Sequence, residues 1–256
     1  MDFSFTLLGF IVAALVAMTG VGGGSVMVPV LILGMHVAPG VAVGTDLLYT
    51  AATRAGAFCV YARHRQVEWR LAGRMLAGSL PAAFVTLGGL WLMGRSPRDL
   101  DAMANVALSV ALTASAGVIL FRDRLSAMIA HRIPSSDGPL RNLLPIVAGV
   151  VIGVLVSLSS VGAGALGVTV LLLLFPSIKT RHLVGTDLAH GVVLALATGL
   201  GHMLIAKADF VLLGQLLLGT LPGIYVGTRL AGVLPEVTLR RGIAVVLLGV
   251  AVKLAV

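Results

Sequence analysis

Two apolar segments of this chain are too long for single membrane crossings and too rich in glycine for uninterrupted helices. The first runs over about residues 5–34 and the second over about 143–175. At ~1.5 Å per residue each measures on the order of 45–50 Å, against a hydrocarbon core of ~30 Å. Each carries a glycine run near its middle: Gly20-Val-Gly-Gly-Gly-Ser25-Val-Met-Val-Pro29 in one, Ser160-Val-Gly162-Ala-Gly164-Ala-Leu-Gly-Val-Thr169 in the other. Backbone left unsatisfied in lipid costs several kcal/mol per group, so non-helical chain at that depth must face protein or a watery cavity. The glycines therefore cut each segment into two pieces of half-helix length, consistent with a re-entrant hairpin that enters, turns and leaves by the same face. Each run is a candidate ligand site.

Six further apolar spans lie at roughly 40–62, 71–94, 102–121, 183–206, 210–231 and 239–256. With 58% hydrophobic and 11% charged residues, the chain reads as an all-α polytopic membrane protein of the multi-pass kind. A net charge of +8 would suggest nucleic acid in a soluble domain. Here the basic residues cluster at span ends, where they set topology and meet lipid headgroups, so nucleic acid is not an expected partner. Cys59 is the sole cysteine, which excludes a disulfide framework and a thiolate metal cluster and predicts a small core hydrophobe. The start, Met-Asp-Phe-Ser-Phe, lacks the basic region of a secretory signal and is expected to stay in the mature protein.

Positive charge decides between eight full crossings and two hairpins plus six crossings, because Lys and Arg in short loops favour the cytoplasm. With hairpins and an outside N-terminus, the inner ends collect Arg63, Arg65, Arg70, Arg74, Arg122, Arg124, Arg132, Arg141, Lys179, Arg181, Arg229, Arg240 and Arg241. The outer ends keep only Arg95, Arg98, Lys207 and Lys253. Eight full crossings would scatter the same charges over both sides.

Hairpins also leave three full crossings in each half, an odd number, which turns the halves over relative to one another. The text repeats accordingly: Val43-Gly44-Thr45-Asp46-Leu47 returns as Val184-Gly185-Thr186-Asp187-Leu188, and Gly78-Ser79-Leu80-Pro81 as Gly219-Thr220-Leu221-Pro222. Both pairs are offset by 141 and the glycine runs by 140. The expected architecture is an inverted repeat: residues 1–121 as the first membrane repeat, a polar, turn-forming cytoplasmic linker at 122–142, and the second repeat at 143–256. Each repeat holds a glycine-broken segment and three transmembrane helices.

Glycine turns at midplane expose N–H groups and the positive end of a helix dipole, which suits an anion. Gly22, Gly23, Gly24, Gly162 and Gly164 are therefore candidate substrate ligands, although glycines also serve close helix packing. Ser25 and Ser160, with Ser159 beside it, could add hydroxyl donors or bond their own helix backbone; Thr45 and Thr186 belong to the same candidate set. Arg54 lies deep in its span with Ala195 as its repeat equivalent, and its planar fork suits an oxyanion; snorkelling to the headgroups competes. Asp46 and Asp187 are intramembrane carboxylates, costly unless paired or wet, and candidates for proton or cation coupling. The competing reading places them in a first helical turn, favouring the dipole, with the threonines as caps. His190, one turn after Asp187, joins the coupling set. His36, His64, His131, His182 and His202 fall near span ends or in the linker, and no metal-ligand spacing or cofactor motif appears. Pro81 and Pro222 each interrupt a span and permit a bend.

The glycine run at 20–29, Val-Gly-Thr-Asp-Leu-Leu-Tyr at 43–49, Val-Glu-Trp at 67–69 and the echoes at 184–188 and 208–210 resemble the sulfite exporter TauE/SafE family of sulfonate-permease-type membrane proteins. The resemblance covers nearly the whole chain. It implies a multi-pass permease of the bacterial inner membrane for sulfite, organosulfonates or related small sulfur-containing anions, often exported. Ala163 and Ala165 depart from a symmetric pair of glycine turns. The expected function is thus a secondary transporter and not an enzyme, with a small anion and the bilayer as partners and room for a homo-oligomer. A small carboxylate is the alternative substrate. An intramembrane hydrolase built on Ser25 and His190 lacks a Gly-x-Ser-Gly signature, and a non-transporting scaffold would not require Asp46, Arg54 and Asp187 at lipid depth.

Overall fold

The computed structural model describes residues 3–19, 24–93, 139–160, 164–206 and 209–230 without a break, together with helical positions scattered over 105–121 and 242–253. Among these residues the regular structure is entirely helical: α1 (Phe3–Thr19), α2 (Gly24–Met35), α3 (Pro39–Arg63), α4 (Trp69–Met93), α5 (Pro139–Ser159), α6 (Ala165–Leu174), α7 (Thr180–Ala206) and α8 (Phe210–Leu230). Four of them, α4, α5, α7 and α8, hold apolar stretches long enough to cross a membrane. The protein is a multi-pass membrane protein.

Local chemistry explains where several helices begin. Pro39 opens α3 with its φ already set for a helix, after Ala38, which offers no side-chain cap. The Asp209 carboxylate accepts the amides of Val211 and Leu212 and so caps α8. The Glu68 carbonyl accepts the amides of Leu71 and Ala72 in the first turn of α4. Each of these last two starts is tied to the other half of the molecule: Thr186 Oγ1 accepts the Glu68 amide at 2.9 Å, and Thr45 Oγ1 accepts the Asp209 amide at 3.1 Å.

Glycine sets the helix contacts. A Cβ on Gly78 would meet the Ile146 carbonyl, one on Gly149 the Met75 carbonyl and one on Gly153 the Ser79 carbonyl, so α4 and α5 run side by side in the same direction with their backbones touching. The pair α1 and α8 does the same: Gly219 abuts the Thr6 carbonyl, Gly9 the Leu216 carbonyl and Gly223 the Phe10 carbonyl. Small residues permit this approach, which in lipid is where dispersion attraction comes from. The two contact sets are copies. Gly78 on Ile146 becomes Gly219 on Thr6, and Gly149 on Met75 becomes Gly9 on Leu216, at the offsets of 140 and 141 that relate the two halves of the sequence.

Helix directions follow from the same contacts. Gly44 packs on His202, Gly199 on Leu48 and Gly191 on Arg54, so α3 and α7 cross the centre antiparallel. Thr45 with Asp209 and Tyr49 with Thr220 set α8 parallel to α3. Thr186 with Glu68, and Gly201 against Leu87, set α4 parallel to α7. It follows that α1 and α3 share one direction and α5 and α7 the other, so that α2 and α6 must carry the chain back between them.

Three details differ from the reading of the sequence. The pieces either side of the glycines are unequal: α1 and α5 have 17 and 21 residues, α2 and α6 only 12 and 10. The first helix of each pair lies along a full-length neighbour, which keeps it helical until the glycines arrive. Residues 139–142, assigned to the linker, open α5, and the rest of the linker at 122–138 lies outside the described residues. Cys59 is exposed and not a core residue; with Gly56 and Val60 it lies on the outer face of α3.

Candidate functional site

The buried polar residues of this protein gather along α3 and α7. Asp46 and Asp187 are the eighth residues of α3 and α7, two turns past the helix starts and beyond the reach of a terminal dipole. Both are almost fully enclosed. The first-turn reading of these carboxylates is therefore excluded, and something else must compensate each of them.

The two have different partners. Asp187 Oδ2 faces Arg54 Nη1 at 3.4 Å. Asp46 Oδ2 accepts the Ser160 hydroxyl at 2.7 Å. The Oδ1 atom of each is buried with no hydrogen-bond partner among the described residues. Glycine makes room for the ion pair: a Cβ on Gly191 would strike Arg54 Nη1, and one on Gly167 would strike Asp187 Oδ1. Ser160 reaches Asp46 from the end of α5 with a left-handed backbone, φ 57°, a conformation serine adopts only where its surroundings over-determine it.

Two further polar contacts are again copies of one another. Tyr49 Oη pairs with Thr220 Oγ1 at 2.7 Å; at the equivalent positions His190 Nε2 pairs with Ser79 Oγ at 2.9 Å. The His202 Nε2–H donates to the Ser157 carbonyl at 2.7 Å. His202 is thus buried, although it lies four residues before the end of α7.

A cavity of ≈ 550 Å³ opens beside the ion pair, between α1, α3, α6, α7 and α8, lined by Thr50, Thr53, Arg54, Tyr61, Gly164, Asp187, Thr220 and Thr228 among others. Gly164 caps the N-terminus of α6 with φ 130°, a backbone angle that strains any residue with a Cβ. Of the sequence candidates, the cavity brings together Arg54, Asp187 and Gly164. Thr45 and Thr186 spend their hydroxyls on holding the α8 and α4 starts, and Asp46, Ser160 and His190 sit in closed packing. Ser159 bonds its own helix at Leu155. Gly24 and Ser25 open α2, while Gly22, Gly23 and Gly162 lie outside the described residues.

The sequence reading missed the Arg54–Asp187 pair and the hydroxyls Thr50, Thr53 and Thr220. The signal for the last was available, since Thr220 belongs to the Gly-Thr-Leu-Pro echo. The pairing of Arg54 with the carboxylate of the opposite half was not, because α3 and α7 meet only through the tertiary fold.

The cavity is glycine-capped and lined by one arginine and one carboxylate. The model of the family described as sulfite exporter TauE/SafE matches residues 5–254. This chain belongs to that family. Similar to it is the probable membrane transporter protein YjnA of Bacillus subtilis (strain 168), at 33% identity over 213 residues, 83% of either chain. No solved structure matches. The family is one of membrane transporters, and its match covers both glycine runs, both Gly-Thr-Asp segments and Arg54.

Proposed function

We propose that this TauE/SafE-family protein is a secondary transporter that exports sulfite, an organosulfonate or a related small sulfur-containing anion across a bacterial inner membrane, and that the anion binds in the cavity at Arg54. One observation carries the reading. The Arg54 guanidinium faces a cavity and holds its carboxylate partner at 3.4 Å, well beyond the 2.7–2.9 Å of a tight charge-assisted bond. Five N–H donors in a planar fork leave most of the group's capacity for a second oxyanion. Thr50 brings to the same space a hydroxyl with no hydrogen-bond partner among the described residues, and Gly164 opens α6 beside it. Asp187 shares Arg54 with the incoming anion, which makes it, with Asp46 and His190, the candidate for coupling to a proton or cation.

In this reading the two halves form an inverted repeat. The repeated glycine contacts, the shared direction of α1 with α3 and of α5 with α7, and the placement of basic residues support it. The N-terminus and the turn at 36–38 then lie outside, the linker inside.

Flux of sulfite, sulfonates and small carboxylates into proteoliposomes tests the proposal. The expected result is transport of a sulfur oxyanion, and a fall of roughly 10- to 150-fold in its affinity in Arg54→Gln, the loss of one charge-assisted hydrogen bond worth about 1.5–3 kcal/mol. Wild-type flux of carboxylates alone would reassign the substrate. Unchanged affinity in folded Arg54→Gln would remove the arginine from the site.

A further inference from the structure

The cavity has a counterpart that is closed. Moving each lining residue by the repeat offset gives a second set: Arg54 becomes Ala195, Tyr61 becomes His202, Asp187 becomes Asp46, Thr220 becomes Ser79, Ile224 becomes Ala83 and Thr228 becomes Leu87. In the first set Ile224 is 40% exposed and Thr228 is exposed; in the second, Ala83 is 2% and Leu87 5% exposed. The same chain segments, related by the same repeat, are open on one side and packed on the other.

The packed side encloses polar groups as well as apolar ones. Beside the leucines that fill it, Leu47 and Leu194, it encloses Asp46 and His202. Asp46 Oδ1 and His202 Nδ1 are buried there without a hydrogen-bond partner among the described residues. Orphaned polar atoms are rare in native interiors and each calls for an explanation, of which an intermittent encounter with water or ligand is one. Two bonds are made on this side alone, Asp46 to Ser160 and His202 to the Ser157 carbonyl; they join α3 and α7 to the α5 end, whereas the His190–Ser79 bond has its copy, Tyr49 with Thr220, on the open side as well.

We propose that the packed face conceals a second anion chamber, opening to the opposite side of the membrane from the observed cavity when that cavity closes, and offering imidazoles where the observed cavity offers arginine. This rests on the transporter reading and gives it a polarity. An anion in the cavity meets the permanent charge of Arg54. In the second chamber Ala195 stands in the arginine's place, and the donors are the His190 and His202 rings and the Ser79 hydroxyl. A small oxyanion is therefore held more weakly there, which makes the second chamber the release side.

Single cysteines at mirror positions test this in a Cys59→Ser background. A membrane-impermeant maleimide is applied to each side of vesicles carrying Ile224→Cys or Ala83→Cys. Expected is fast labelling of Ile224→Cys from one side and labelling of Ala83→Cys from the other, at least tenfold slower. A disulfide between Ala17→Cys and Tyr61→Cys, formed with copper phenanthroline across the mouth of the open cavity, should accelerate Ala83→Cys labelling and stop flux reversibly. Ala83→Cys that folds, elutes as wild type and stays unlabelled from both sides, linked or unlinked, overturns the proposal. So does labelling of both cysteines from the same side. Absence of wild-type anion flux would refute the transport reading alone, since the labelling pattern is read without substrate.

Discussion

Arg54 and Ala195 hold equivalent places in the two halves, and their surroundings differ as the charge requires. Around Arg54 there is a cavity, a carboxylate at 3.4 Å and space kept clear by Gly191. Around Ala195 the packing is closed, with Leu194 and Thr198 fully buried and Gly199 drawn against Leu47 and Leu48. The positions on α3 that match Gly199 and Gly201 are Phe58 and Val60. Small residues on α7 let that face pack against Leu47, Leu48 and Leu87, whereas the matching positions on α3 carry larger side chains. Two halves that share a fold can thus hold different functions, because a repeat conserves backbone contacts and leaves side-chain volume and charge free to diverge.

The sharpest way to break this comparison is to remove the two carboxylates separately. Asp187→Ala strands a buried guanidinium and is expected to destabilise the protein by about 3 kcal/mol, the usual cost of breaking a buried pair from one side. Asp46→Asn keeps the Ser160 contact and leaves no cation unpaired, so its cost is expected to stay under about 1.5 kcal/mol, that of one hydrogen bond. Thermal unfolding in detergent measures both; equal losses would mean that the two sites are not electrostatically distinct.

Next in size is Gly164→Ala, which forces a Cβ onto a backbone held at φ 130° and should cost about 1–3 kcal/mol with weakened anion binding, since the residue lines the cavity. Full stability in this variant would show that the turn relaxes without loss.

The smallest effect belongs to the conserved part of the comparison. Thr45→Val and Thr186→Val each remove an acceptor for one helix-start amide, at Asp209 or Glu68, at a cost of about 0.5–1.5 kcal/mol apiece. Because the two contacts are copies, the losses should match within ~0.5 kcal/mol and add in the double variant. A marked inequality would place the asymmetry of the molecule in its scaffold as well as in its cavity.

Hydropathy alone was enough to identify a membrane protein, because no soluble domain tolerates that density of apolar residues, and echoes at a constant offset marked two related halves. The same text singled out Arg54, Asp46 and Asp187, since an ionisable group inside an apolar span is conspicuous without any structure. It could not say which of them meet. Arg54 finds Asp187 across 133 positions and Asp46 finds Ser160 across 114, distances over which no periodicity carries information. The fold also decided that Thr45 and Thr186 serve the scaffold, that Cys59 lies outside, and that one of two sequence-equivalent faces stands open. Each of these depends on how side-chain volume is shared between helices far apart in the chain, and packing of that kind exists only once the helices are assembled.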